Sequence, residues 1–241
     1  MTHAKIDVEL LAAGARAFDL DLSPVQLDQF ARYADLLIDW NLRFNLTSIV
    51  EPRDIVIKHF LDSLSALQAI PPGPLKLIDV GAGAGLPGIP IRLVRPDVSL
   101  TLLEATRKKC DFLTAVVDDL QLTAVQIVNA RAEEAGRMEE HREQYDIAIA
   151  RAVADLPVLA EYLLPFVKVG GAAIAQKSGK LEDEVDRAET AIVLLGGLGG
   201  EIVTVQVPGL DSERTLLVME KIAPTPDDYP RRTGVPSKKP L

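Results

Sequence analysis

Three glycines at alternate positions, Gly81, Gly83 and Gly85, follow a short apolar run, and an acid, Glu104, ends the next such run. Glycines in a strand-to-helix turn let the backbone bend tightly and come close to a ligand. An acid at the end of the second strand can accept hydrogen bonds from both ribose hydroxyls. Together they point to a cofactor containing adenosine, although a purely structural turn also uses glycine. A dinucleotide fingerprint would place glycines at 81, 83 and 86, but position 86 is Leu86, and no Lys-Ser/Thr pair follows as in a phosphate-binding loop. The missing third glycine and missing phosphate contacts favour S-adenosyl-L-methionine over NAD.

Other chemistry is excluded by residue counts. Cys110 is the single cysteine, so there is no disulfide framework and no multi-cysteine metal site. The three histidines, His3, His59 and His141, show no metal-ligand spacing. Cys110 lies in the segment Lys-Lys-Cys-Asp-Phe-Leu and reads as a buried structural thiol rather than a nucleophile. After the fourth strand, Ala150-Arg151-Ala152-Val153 stands where an exocyclic-amine methylase often carries Asn/Asp-Pro-Pro-aromatic. No run of about 18 apolar residues occurs, and the N-terminus has no signal-peptide core, so the expectation is a soluble cytoplasmic protein.

The elements that must position these residues are legible from periodicity. Ser23-Pro24-Val25-Gln26 has the form of a capping box, and Val25, Phe30, Tyr33, Leu37 and Trp40 then recur at helical spacing. A second helix is expected over about 52–67, carrying His59, Asp62 and Ser63. Pro71-Pro72-Gly73-Pro74 ends the helical part. Strands are expected at 75–80, 98–103, 125–128, 146–150 and 172–176, with helices at 107–120, 156–167 and 180–195. Two last strands, 201–207 and 215–221, have no helix between them and form a hairpin-like antiparallel addition. Alternating strands and helices mean a doubly wound α/β sheet, mostly parallel with an antiparallel final strand. The division expected is a helical subdomain at 1–70, a cofactor-binding domain at 71–223 and a basic arm at 224–241.

Charge is unevenly spread. The 241 residues carry a net charge of −9. Residues 1–70 hold −4 and residues 71–223 hold −7, whereas the last 18 hold +2. An acidic body does not coat nucleic acid by bulk attraction, so any RNA contact must come from local cations.

Several stretches, in order, resemble one family. They are Asp79 to Pro90 (Asp-Val-Gly-Ala-Gly-Ala-Gly-Leu-Pro-Gly-Ile-Pro), Leu102 to Lys109 (Leu-Leu-Glu-Ala-Thr-Arg-Lys-Lys), Ala-Arg-Ala-Glu-Glu ending at Glu134, and Ala-Arg-Ala-Val-Ala from Ala150. Upstream Trp-Asn-Leu-Arg-Phe-Asn-Leu-Thr, Lys-His-Phe-Leu-Asp-Ser-Leu and the closing Pro-Arg-Arg and Pro-Ser-Lys-Lys-Pro-Leu fit as well. The resemblance is to the glucose-inhibited division protein B family, the ribosomal RNA small subunit methyltransferase G group, from about residue 24 to the end. It implies a class I methyltransferase using S-adenosyl-L-methionine to methylate N7 of one guanine in 16S ribosomal RNA, acting on the small ribosomal subunit or an assembly intermediate. A monomer without a bound metal is expected.

The resemblance also implies roles. Gly81 and Leu86 would line the methionine and adenosine side of the cofactor, with Gly83 and Gly85 completing the loop. Glu104, Ala105 and Thr106 would hold the ribose and flank the adenine; Ala132 and Glu133 would reach its edge. Arg151 would meet the methionine end or the incoming base. The expected RNA contacts are Arg43, Arg107, Lys108 and Lys177, with Arg231, Arg232, Lys238 and Lys239 on the arm. Two competing readings are an NAD-dependent oxidoreductase, disfavoured by Leu86, and a non-catalytic ribosome-assembly binder with a vestigial pocket, disfavoured by the intact glycines and Glu104.

Overall fold

The computed structural model describes residues 5–151, 154–179 and 181–241. Seven strands form one sheet: β1 (Leu75–Val80), β2 (Val98–Leu103), β3 (Val125–Val128), β4 (Tyr145–Arg151), β5 (Val167–Ser178), β6 (Gly197–Val205) and β7 (Arg214–Lys221). Their order is β3-β2-β1-β4-β5-β7-β6. The first five strands pair in parallel, and β7 runs antiparallel between β5 and β6. The last two strands pair with each other as the expected hairpin-like antiparallel addition. β6 is carried to the edge by the helix Glu182–Leu194, and β7 returns into the gap beside β5.

Period-two alternation divides the apolar residues between two faces. Leu77, Leu100, Leu102, Ile147 and Ile149 pack on one face with Phe30, Tyr33, Leu37, Phe60 and Phe112. Ile78, Ala148, Ala150, Ala173 and Ala175 pack on the other with Leu156, Leu159, Leu163, Ala188 and Ile192. The N-terminal helices are therefore one cover of the sheet, sharing its core, and residue 70 marks a change of architecture rather than a break in packing. The capping box forms: Gln26 N–H donates to Ser23 Oγ, and Ser23 N–H to Gln26 Oε1. Val25 departs from the expected stripe and is exposed, since it lies in the first turn beyond the core.

The helix at 52–69 is continuous, with a π-helical stretch at Ile55–Leu61. Such stretches often occur at functional sites. β5 is longer than expected because Tyr145 also pairs with Val167 across a bulge. The helix expected at 156–167 ends earlier, at Leu163, with a 3-10 turn to Phe166 before Val167 opens β5. The C-terminal segment is not an extended arm. It docks on the body, with Pro230 and Pro236 buried and a helical turn at Val235–Lys238.

The glycine loop rests on Asp79, which is fully buried at the end of β1. Its Oδ2 accepts the Gly88 N–H at 2.8 Å, while Oδ1 has no partner. Burial pushes this carboxyl up to about 7 against the opposing pull of the Gly88 N–H and Arg151. The folded chain thus keeps a proton that the unfolded chain releases near pH 4. The resulting stability is fully present below that point and lost as pH rises through about 7. Asp79→Asn keeps the acceptor for Gly88 and removes the titration. Denaturant unfolding of the variant should therefore lack this decline between pH 4 and 7; parallel curves for wild type and variant would contradict the assignment.

Candidate functional site

The carboxyl ends of β1, β2 and β4 open onto a cleft of about 350 Å³. This is where the strand order reverses in a doubly wound sheet, and where ligands of such sheets bind. It is lined by Gly81, Glu104, Ala105, Thr106, Ala132, Glu133 and Arg151, all expected from the sequence. Val80, Leu103, Lys109, Ala130, Arg131 and Tyr162 line it too and were not anticipated. Most are neighbours in sequence of expected residues. Tyr162 comes from a separate helix, Leu156–Leu163, and carried no local signal.

The glycines divide the work. Gly81, Gly83 and Gly85 all have positive φ, at +75°, +59° and +86°. The Gly81 and Ala82 N–H groups donate to the Leu103 carbonyl, tying the loop to the end of β2. Gly85 does not line the cleft. A Cβ there would meet Ile89 and the Tyr33 hydroxyl at 2.4 and 2.9 Å, so its glycine is required by packing beneath the loop. Leu86, expected against the cofactor, is buried in the core cluster that holds Tyr33 and Ile89. Gly83 acts on the cleft through its N–H, which donates to Glu104 Oε2 at 2.9 Å.

Glu104 is nearly buried, and Thr106 N–H donates to its other oxygen at 2.7 Å. Each carboxylate oxygen thus takes one backbone N–H and retains acceptor capacity. Lys109 lies 4.0 Å away. Asn129 donates to the carbonyls of Glu104 and Ala105, at 2.9 and 3.0 Å, and fixes the strand end. The Cys110 thiol donates to the Glu104 carbonyl, and burial pushes its pKa up, which removes it as a nucleophile. At the other end Glu133 is buried, with Oε1 accepting the Gly234 N–H at 2.8 Å. Apolar walls between two carboxylates suit a flat, hydroxylated and aminated ligand. The residues present therefore fit an adenosine group.

A second cleft of about 500 Å³ adjoins the first, and Arg151 lines both. Its centre is Asp62, whose Oδ2 pairs with Arg151 at 2.9 Å and Oδ1 with Arg214 at 2.5 Å. Gln176 donates to the Asp62 carbonyl at 2.6 Å, leaving its own Oε1 buried and unpartnered. His59 Nε2 lies 3.0 Å from Thr47 Oγ1, and Nδ1 is also unpartnered. Burial, then Arg151, lowers the His59 pKa to about 4, so the ring is neutral near pH 7. The loop Asn41–Thr47 is pinned by Asn41, whose Oδ1 accepts the Leu46 and Thr47 N–H groups. Asp62 and His59 were singled out in the sequence; Arg214 and Gln176 were not.

The expected RNA-contacting cations fall into two groups. Lys177 is held by Glu184 and Arg231 by the fully buried Glu161, so both charges are neutralised locally. Arg43, Lys108, Arg232, Lys238 and Lys239 are exposed, as is Arg107, which also pairs with Asp111 at 3.1 Å across the helix surface. Lys108 Nζ stands 5.1 Å above the Phe44 ring, joining the Asn41–Thr47 loop to the helix Arg107–Asp119. Among the described residues no His/Cys/Asp/Glu group could hold a metal, and no helix is long and apolar enough to cross a membrane. Ala152, Val153 and Lys180, which featured in the sequence reading, lie outside the described residues.

Solved structures share the fold at low identity. A predicted O-methyltransferase, protein Atu636 from Agrobacterium tumefaciens, is 20% identical with a TM-score of 0.51, covering 68% of this chain and 80% of its own. The [4+2]-cyclase SpnF is 15% identical with a TM-score of 0.50, covering 68% and 80%. The likeness to a cyclase shows that the fold alone does not select the reaction. Sequence relatives are far nearer. Proteins named ribosomal RNA small subunit methyltransferase G are 47% identical in Dehalococcoides mccartyi (strain CBDB1), over 96% of this chain and 98% of the relative. The one in Alkaliphilus oremlandii is 45% identical, over 97% and 98%. The family described as rRNA small subunit methyltransferase G, GidB, matches residues 26–215, and on this match and these identities the chain belongs to that family of methyltransferases.

Proposed function

We propose that the chain transfers a methyl group from S-adenosylmethionine to N7 of a guanine in 16S ribosomal RNA. The observation that carries this reading is the pair of clefts meeting at Arg151, one suited to adenosine and the other open beside it. When bound, S-adenosylmethionine supplies an electrophilic methyl group on a sulfonium. Glu104 accepts hydrogen bonds from the ribose hydroxyls, and Gly81 allows close backbone approach. Ala105, Thr106 and Ala132 flank the adenine, and Glu133 accepts from its edge.

Guanine N7 carries a lone pair and no proton, so the chain needs no general base. The second cleft agrees with this: His59 is neutral and engaged with Thr47, and Asp62 is committed to two arginines. What these residues do is align and exclude water. Arg43, Arg107, Lys108, Arg232, Lys238 and Lys239 contact phosphates, and Lys177 and Arg231 do not.

The direct test is transfer of labelled methyl from S-adenosylmethionine to 16S ribosomal RNA, naked and in small-subunit particles, with the modified nucleoside identified. Label on guanine N7 is expected; transfer to another atom, or none to either substrate, overturns the reading. Glu104→Gln should weaken cofactor binding by about 1.5–3 kcal/mol, the range for a hydrogen bond to a charged group. Calorimetry returning the wild-type affinity would remove Glu104 from the site. Replacing Arg43 and Lys108 together by Gln should shallow the dependence of log K on log salt for RNA by about 1.5, the value for two lost phosphate contacts. Lys177→Gln should leave that slope unchanged.

A further inference from the structure

We propose that the C-terminal segment 229–241 is a strap that holds Glu133 in the wall of the first cleft, and so sets affinity for the adenine end of the cofactor. This rests on the reading of that cleft as an S-adenosylmethionine site. It adds a second role to a segment expected to carry RNA contacts.

Glu133 stands on a helix of four residues, Ala132–Ala135, too short to hold a side chain rigidly by itself. Both acids of that turn are held from outside it. The Gly234 N–H donates to Glu133 Oε1 at 2.8 Å, and the Thr233 hydroxyl to Glu134 Oε1 at 3.1 Å. Gly234 has φ +78°, a conformation open to glycine at little cost, and the turn there brings its N–H to Glu133. The strap is anchored on the neighbouring wall. Arg231 gives its backbone N–H, Nε and Nη2 to Glu161, at 2.7, 3.0 and 2.6 Å.

Glu161 is fully buried, and the next residue, Tyr162, lines the cleft. Burial, then the Glu133 charge, pushes the Tyr162 pKa up. Behind the strap, Arg137 and Arg142 donate to the carbonyls of Pro230 and Tyr229, both at 2.7 Å. An ion pair on a fully buried carboxylate is costly to break from one side, so the segment is fixed rather than loosely resting. A carboxylate restrained by one backbone N–H keeps acceptor capacity, and the group that suits it is an N–H donor such as the exocyclic amine of adenine.

The test is calorimetry without RNA, using S-adenosylhomocysteine and S-inosylhomocysteine, which replaces the exocyclic amine by an oxygen. Shortening the chain after Asp228 should weaken the adenosyl compound about tenfold or more, the equivalent of a lost charged hydrogen bond. The inosyl compound should change by no more than about twofold, since its edge offers Glu133 no amine. In a Glu133→Gln background the same shortening should cost no more than about twofold, because the coupled pair is already broken. Equal affinity in the shortened chain, an equal loss for both compounds, or a loss that persists with Glu133→Gln overturns the strap. Should the shortened chain fail to melt cooperatively, the full-length double variant Arg231→Gln/Glu161→Gln decides. It removes the anchor without leaving a buried charge, and selective weakening of the adenosyl compound is expected; unchanged affinity overturns the proposal. A wild-type chain that binds neither compound overturns the cofactor reading itself, and the strap with it.

Discussion

One buried carboxylate, Asp62, ties together parts of the chain that are far apart in sequence. It pairs with Arg151 at the end of β4 and Arg214 at the start of β7, while Gln176 on β5 donates to its carbonyl. All four groups are largely withdrawn from solvent. Removing one partner of such a cluster leaves an uncompensated charge, which costs about 3–5 kcal/mol in comparable cases. The N-terminal helices cannot shift along the sheet without breaking it. It also fixes the guanidinium that stands between the two clefts.

The antiparallel β7 follows from the same constraint. Arg214 reaches Asp62 because β7 returns beside β5, with Arg214 paired to Ser178 and Leu216 to Gln176. A seventh strand placed at the edge would leave Arg214 beyond reach. The order of the last strands is thus part of the site, although neither strand contributes to the glycine loop.

Charge is handled in the same local way. The chain is acidic overall, yet many of its cations are spent internally. Arg151, Arg214, Lys177, Arg231 and Lys221 face carboxylates, and Arg137 and Arg142 face carbonyls of the C-terminal segment. A basic residue near the site is therefore no guide to phosphate binding until its partner is known. The exposed cations cluster instead around the Asn41–Thr47 loop, the helix beginning at Arg107, and the last turns of the chain.

Periodicity and turn chemistry are local properties, and they determined the parallel strands β1 to β4, the capping box at Ser23 and the glycine loop with Glu104. The lining of the first cleft was legible for the same reason: Gly81, Glu104–Thr106 and Ala132–Glu133 directly follow strands whose carboxyl ends must converge. The packing role of Gly85 was not legible, because a glycine that makes room for Ile89 and Tyr33 looks, in one dimension, like a glycine needed for a ligand. Only the folded chain decided the partners of the charged residues. Arg231 and Glu161, 70 positions apart, or Asp62 and Arg214, 152 apart, carry no spacing signal. Their pairing is selected by the free energy of burying ions together, a quantity that exists only once the sheet and its covering helices have closed around them.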